Sequence, residues 1–150
     1  MKQTITFNNA DFLPEVLRLI GEGHTVTLPL KGFSMRPFLE DGRDKALLTK
    51  VSKPNVGDPV LAIINKRYYV LHRIVGIEGD KVTLMGDGNL VGREYCHITD
   101  VKAIATHSVD ALQKRHYLYT KWRCAASEAW WLLMPIRRYI LAIYKRMNNI

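Results

Sequence analysis

The chain lacks the features that mark several classes of protein. Its 150 residues include only two cysteines, Cys96 and Cys124, without CxxC spacing, so neither a disulfide framework nor a zinc ribbon is indicated. Reduced thiols in a cytosolic compartment are therefore expected. No apolar run approaches the roughly 18–20 residues that span a bilayer; the nearest, residues 125–134, contains Glu128. The opening MKQTITFNNADF soon turns polar, so no secretory leader is predicted.

Acidic residues are scarce towards one end of the chain. Lys and Arg number 22 against 14 Asp and Glu, a net charge of +8. Residues 109–150 hold eight basic side chains and two acids, Asp110 and Glu128, so that segment carries +6 of the total. The hydrophobic fraction of 47% with 24% charged residues is typical of one globular domain and excludes bulk disorder.

The first two thirds of the sequence predict one helix and a set of short strands. Asp11 could cap a helix whose apolar positions recur at helical spacing from Leu13 to Ile20 and which ends at Gly21. Gly79 and Asp80 separate two strand-like runs and predict a tight hairpin. The sequence thus predicts a mostly β, α+β fold with a coiled or barrel-like sheet, the predicted strands being residues 4–7, 25–30, 45–49, 59–64, 68–77, 81–85 and 101–107.

The last third has a different pattern. We divide the chain into a β core with an N-terminal helix, residues 1–109, and a basic amphipathic helical extension, residues 110–150. Pro135 is expected to kink or split the extension. The apolar positions with helical spacing are Leu133, Ile136, Ile140, Ile143 and Met147.

The extension admits three interpretations. Trp130, Trp131, Leu133 and Ile136 could pack on the β core while the basic residues are solvated. Alternatively, interleaved apolar and basic residues suit an interfacial helix on an anionic membrane surface, which would place a cytoplasmic protein at the inner membrane face. Nucleic-acid binding is disfavoured, because neither a helix-turn-helix pattern nor zinc-finger spacing accompanies the charge.

Two residues in the β region have the chemistry of a catalytic pair. Ser34 lies in Gly32-Phe33-Ser34-Met35-Arg36-Pro37, where Gly32 permits a tight turn that could leave backbone N–H groups free to hold an oxyanion. His72 lies within an apolar strand, its side chain on the same face as Val70 and Ile74. Imidazole titrates near neutral pH and can accept a serine proton. Taken alone, a serine in a loop is more often solvated than catalytic, and a histidine in an apolar strand is more often a packing residue than a base.

The order of the motifs is more specific than either residue. After the Ser34 motif come Val56-Gly57-Asp58, then HRIVGIEGD from His72, then Gly86-Asp87-Gly88-Asn89. Over about residues 25–107 this series resembles the superfamily of type I signal peptidases and SOS-repressor-type self-cleaving peptidases. A histidine stands where bacterial signal peptidases have the lysine base, as in the archaeal and endoplasmic-reticulum branch.

The resemblance implies a β-rich serine endopeptidase that binds an extended peptide along a sheet edge and needs no metal or cofactor. Ser34 would be the nucleophile, and its N–H would contribute to the oxyanion hole. His72 would be the general base. Asp87 matches the acid of the Gly-Asp-Asn-Asn motif in that branch.

One departure from the family pattern leaves an alternative open. The His-type branch has a further acid beyond that motif, and counting forward reaches Glu94 as the alternative acid. The acid is thus missing or displaced to Glu94, and its loss favours a peptide-binding or regulatory module that keeps the fold but turns over poorly or only on itself. A DNA-linked repressor fragment is disfavoured, because no DNA-binding domain is expected before the core.

Overall fold

The architecture comes from a computed structural model that describes residues 9–30, 34–39 and 42–148. The strand predicted over residues 4–7 lies outside them. In these described ranges, three α-helices flank one antiparallel sheet: α1 (Asn9–Gly21), α2 (Lys121–Leu132) and α3 (Arg137–Met147). The strands are β1 (Val26–Pro29), β2 (Lys45–Thr49), β3 (Pro59–Ile64), β4 (Tyr68–Glu78), β5 (Lys81–Met85), β6 (Glu94–His97), β7 (Val101–Val109) and β8 (Arg115–Tyr117).

The sheet is a curled half-barrel. Its strands follow the order β1-β2-β7-β3-β4-β5-β6, and β8 pairs with β7 beside that path. The mostly β, α+β prediction is confirmed. The predicted hairpin is also present: β4 and β5 pair from Glu78 and Lys81 across Gly79-Asp80, and Gly79 adopts a φ of 59°, as such tight turns require.

Apolar side chains pack on both faces of this sheet. On one face, Val16 and Ile20 of α1 pack against Leu48, Leu61 and small alanines of β2 and β7. The small side chains allow the helix to lie close to the strands. On the other face, Val60, Ile74 and Leu84 belong to a second buried cluster. Because strand side chains alternate, His72 of β4 projects to this second face with Ile74.

The extension is not helical throughout, contrary to the expectation for residues 110–150. Arg115–Tyr117 forms β8, whose backbone pairs with β7, and the helices begin only at Lys121. The predicted interruption at Pro135 is confirmed, since a single 3-10 turn, Met134–Ile136, separates α2 from α3. Within the described ranges, no helix combines the length and apolarity that a membrane crossing demands.

Candidate active site

His72 and Glu94 form a close polar contact on the second face of the sheet. The His72 Nδ1 atom lies 2.6 Å from Glu94 Oε2, and the imidazole is buried. The strand register explains the contact, because Ile74 pairs with Leu84 and Leu84 pairs with Glu94. Paired residues share a face, so Glu94 reaches His72 diagonally across β5.

This contact can fix the chemistry of the imidazole. A proton on Nδ1 donated to the carboxylate leaves Nε2 with its lone pair free to accept a proton from a third group. The carboxylate also stabilises the imidazolium that such a transfer creates. Glu94, the alternative acid of the sequence prediction, is therefore the acid at the ring.

Asp87, the first acid predicted for this role, makes a different contact. Its two carboxylate oxygens accept hydrogen bonds from Arg73 Nε at 2.8 Å and Nη2 at 2.7 Å. Arg73 follows His72 in β4, so it projects to the opposite face. The Asp87 carboxylate thus binds a guanidinium on the far side of the sheet and does not orient His72 in this structure.

The Arg73–Asp87 pair is buried and charged. Desolvation alone would lower the pKa of Arg73, but the hydrogen bonds to Asp87 and its negative charge outweigh burial and raise that pKa above its ordinary value. Arg73 Nη1 also donates to the Gly57 carbonyl at 2.8 Å. A bidentate pair with such supporting bonds fixes the turn that carries Asp87.

Ser34 lies against that same turn. The Gly88 N–H donates to the Ser34 carbonyl at 2.8 Å. Gly86 packs so closely that a Cβ atom added there would lie 2.2 Å from the Ser34 oxygen. Only glycine allows this approach of two backbones.

Continued one residue beyond its last pair, the register of β4 and β5 would put Ser34 on the His72 side of the sheet. Phe38 of the same segment lies on the opposite side, with its ring 5.5 Å from the Arg73 guanidinium. Arg73 pairs with Met85, so one further step would set Gly86 opposite His72. The absent Cβ of Gly86 would then project to the face of His72, and the Ser34 carbonyl occupies that space. Within the described residues, however, the Ser34 hydroxyl and the His72 ring form no hydrogen bond to each other.

The oxyanion prediction stays a prediction. Gly32 lies outside the described residues, and the role of the Ser34 N–H depends on the backbone that precedes it.

Two side chains of the extension donate hydrogen bonds to the backbone of the Asp87 turn. The Asp87 carbonyl accepts hydrogen bonds from Trp130 Nε1 at 2.7 Å and from Arg137 Nη2. Arg137 Nη2 also reaches the Gly86 carbonyl at 3.3 Å. The Trp130 ring meets Phe38, in the turn after Ser34, edge-on at 6.3 Å. The extension therefore contacts both segments of the site.

The interpretation that the extension packs on the β core is confirmed only in part. Trp130 packs on the core, but Leu133 and Ile136 are exposed, and Arg137 is not solvated: it is 1% exposed. Its guanidinium lies over the rings of Trp131 at 4.5 Å and Trp130 at 5.2 Å. Burial lowers the pKa of Arg137 despite the nearby Asp87 charge. Cation–π contacts and carbonyl acceptors compensate part of that desolvation.

We predict that Trp130→Phe destabilises the fold more than Trp131→Phe. The first change keeps most of the ring but removes the donor to Asp87, which is worth about 1 kcal/mol. Trp131 offers a matched control, because its buried Nε1 has no hydrogen-bond partner among the described residues. Urea unfolding of both variants measures the difference, and equal losses would contradict the assigned role of the Trp130 bond.

Within the described residues, neither a disulfide nor a metal cluster accompanies the His72–Glu94 pair. Cys96 and Cys124 are unpaired. Burial, with a smaller contribution from Asp100, raises the pKa of Cys96 to about 11, so its thiol stays protonated and weakly nucleophilic near neutral pH. No cluster of three or more His, Cys, Asp or Glu suited to a metal ion occurs within the described part of the chain.

Comparison of the chain with protein-family models, curated proteins and solved structures gives no match. Function is therefore inferred from the site itself. Sequence reasoning missed the structural roles of Arg73, Trp130 and Arg137. The one signal in the sequence was their residue type, since Arg and Trp both carry donors that need acceptors when buried.

Proposed function

We propose that this protein is a serine endopeptidase of the signal peptidase type, with Ser34 as nucleophile and His72 as general base. The observation that carries the proposal is the 2.6 Å contact between His72 Nδ1 and Glu94 Oε2. The Ser34 backbone packs over Gly86, which directly follows β5, the neighbour of the strand that carries His72. A buried histidine with an acid on one nitrogen has the chemistry of a general base for nucleophilic hydrolysis, and the proposal puts the Ser34 hydroxyl at the other nitrogen.

In the proposed mechanism, the Ser34 Oγ attacks the scissile carbonyl as His72 Nε2 takes its proton. The Ser34 N–H contributes a hydrogen bond to the developing oxyanion. His72 returns the proton to the leaving amine, and the C–N bond breaks to give an acyl-enzyme. Water, deprotonated by His72, then hydrolyses the ester and restores Ser34. The Glu94 carboxylate stabilises the imidazolium each time His72 holds the transferred proton.

The sheet offers a place for an extended substrate. β1 is at one end of the strand order, paired only with β2 among the described strands, and the chain runs from it towards Ser34. An exposed strand edge can pair with a peptide through backbone hydrogen bonds, while alternate side chains provide specificity. The proposed substrate is thus an extended segment of a peptide or precursor protein.

The test is incubation of the full chain with a library of unstructured peptides, followed by mass spectrometry of the products. Discrete internal cleavage by the wild-type protein, absent from Ser34→Ala, supports the proposal. Products that Ser34→Ala also generates, or no cleavage across the library, would count against it.

A second candidate is a peptide-binding or regulatory module with little turnover beyond self-cleavage. The missing hydrogen bond between Ser34 and His72 in the described residues is the observation in its favour. Peptides that bind the wild-type protein in a pull-down, yet stay intact, would select this candidate.

We further predict that Glu94→Gln lowers kcat by a factor of roughly 10²–10⁴ with little change in KM, because the imidazolium loses its anionic partner. Glu78→Gln is the matched control, since Glu78 is exposed at the end of β4. Steady-state kinetics on one cleaved peptide separates the two. Unchanged kcat in Glu94→Gln would show that another acid orients His72.

A further inference from the structure

α3 presents two unlike sides. Towards the core it turns the buried Arg137 and the half-buried Ile140, Leu141 and Tyr144. On another side α3 exposes Tyr139 (56% exposed), Ile143 (60%) and Met147 (78%), and Ile136 (48%) precedes them at the end of the 3-10 turn. We call these four large apolar residues the apolar stripe. Spacings of three and four residues keep these side chains along one side of a helix.

The charge around the stripe has one sign. Arg138, Lys145 and Arg146 are exposed on the same helix, whose sequence RRYILAIYKRM contains no acid. Exposed apolar rows of this length are not usual on a soluble surface and mark an interaction site. Its partner must accept apolar side chains and supply negative charge.

We infer that the apolar stripe docks α3 onto an anionic lipid surface, lying in the plane of the interface rather than crossing it. Ile143 and Met147 would insert among the acyl chains, and the flanking Lys and Arg side chains would bind the phosphate headgroups. A second copy of the chain fits less well, because a two-fold contact through the stripe would bring the same cations together without acids on α3 to pair them. The inference does not depend on the peptidase proposal.

The first test is co-sedimentation of the full chain with phosphatidylcholine vesicles that do or do not contain phosphatidylglycerol. Binding is expected only to the anionic vesicles and is expected to weaken as salt rises, because salt screens exposed charges. Ile143→Glu combined with Met147→Glu should lower the partition coefficient more than tenfold. Leu112→Glu is the control, since Leu112 is 90% exposed on the turn before β8, and it should bind as the wild type does.

The charge component has its own matched pair. Replacing three stripe-flanking cations by Gln should weaken binding by roughly fivefold for each charge. Replacing three exposed cations elsewhere should have a much smaller effect although the net charge falls equally. The two sets are Arg138, Lys145 and Arg146, and Lys53, Lys66 and Arg67.

Three outcomes would overturn the inference, provided that circular dichroism shows the variants folded. The wild-type protein could fail to bind anionic vesicles. The control variants could lose binding as fully as the stripe variants. Finally, sedimentation equilibrium could show a dimer that Ile143→Glu dissociates. The apolar stripe would then bind a second copy of the chain rather than a lipid surface.

Discussion

Gly86→Ala is expected to destabilise the fold by about 1–3 kcal/mol and to abolish most activity, because it forces Ser34 away from its turn. The added Cβ would lie 2.2 Å from the Ser34 carbonyl oxygen and 2.9 Å from Asn89 Nδ2. Backbone cannot yield as a flexible side chain can. Relief of the clash must therefore separate the Ser34 segment from the Gly86 turn, and the loss of activity should exceed what the stability change alone explains.

Gly76→Ala is the matched control. Gly76 also lies in the sheet, in β4, but a Cβ there would meet only Thr83, at an ordinary distance of 3.8 Å. We expect it to be neutral or slightly stabilising, since glycine weakens strand interiors. Thermal unfolding and peptide cleavage measured on both variants test the close approach, and similar behaviour of the two would contradict it.

Ser34→Ala and His72→Ala are each expected to lower kcat/KM by a factor on the order of 10³ or more, with little further loss in the double variant. Groups that act as one unit are not additive, because removal of either one disables the same proton transfer. Both proteins should still bind peptide, since neither substitution alters the sheet edge.

Two further variants separate catalysis from packing. Ser52 is exposed and His107 is half-buried in β7, so Ser52→Ala and His107→Ala remove the same side-chain types away from the site. Both should retain activity. Losses in the double variant that equal the product of the single losses would indicate that Ser34 and His72 act separately.

The strands of the sheet are predicted from the sequence more accurately than the structure of the extension. Strands with alternating Val, Ile and Leu, such as β3 and β4, were predicted within one or two residues. β6 and β8 were missed because each is short: β6 reads EYCH and β8 reads RHY. These segments are strands because they pair with β5 and β7, and the local composition of a short segment does not predict such long-range pairing.

The same limit applies to the site. Strand alternation correctly put His72 and Arg73 on opposite faces, but the choice between Asp87 and Glu94 depended on how β5 and β6 pair. Because Leu84 pairs with Glu94 in β6, the Glu94 side chain lies diagonally across β5 from His72 and can reach its ring. One of the three interpretations of the extension left its basic residues solvated, as arginine usually is. Arg137 is instead buried, where its guanidinium donates to the Asp87 carbonyl.

The most direct test of Ser34 as a nucleophile served by His72 is a crystal structure with a peptide boronic acid built on the best-cleaved library peptide. Boron accepts the attacking oxygen and imitates the tetrahedral intermediate. We predict a covalent bond from Ser34 Oγ to boron, with His72 Nε2 within about 3 Å of the adduct and Nδ1 still bound to Glu94. A boronate bonded to another residue, or a His72 ring turned away from Ser34, would contradict the proposed mechanism.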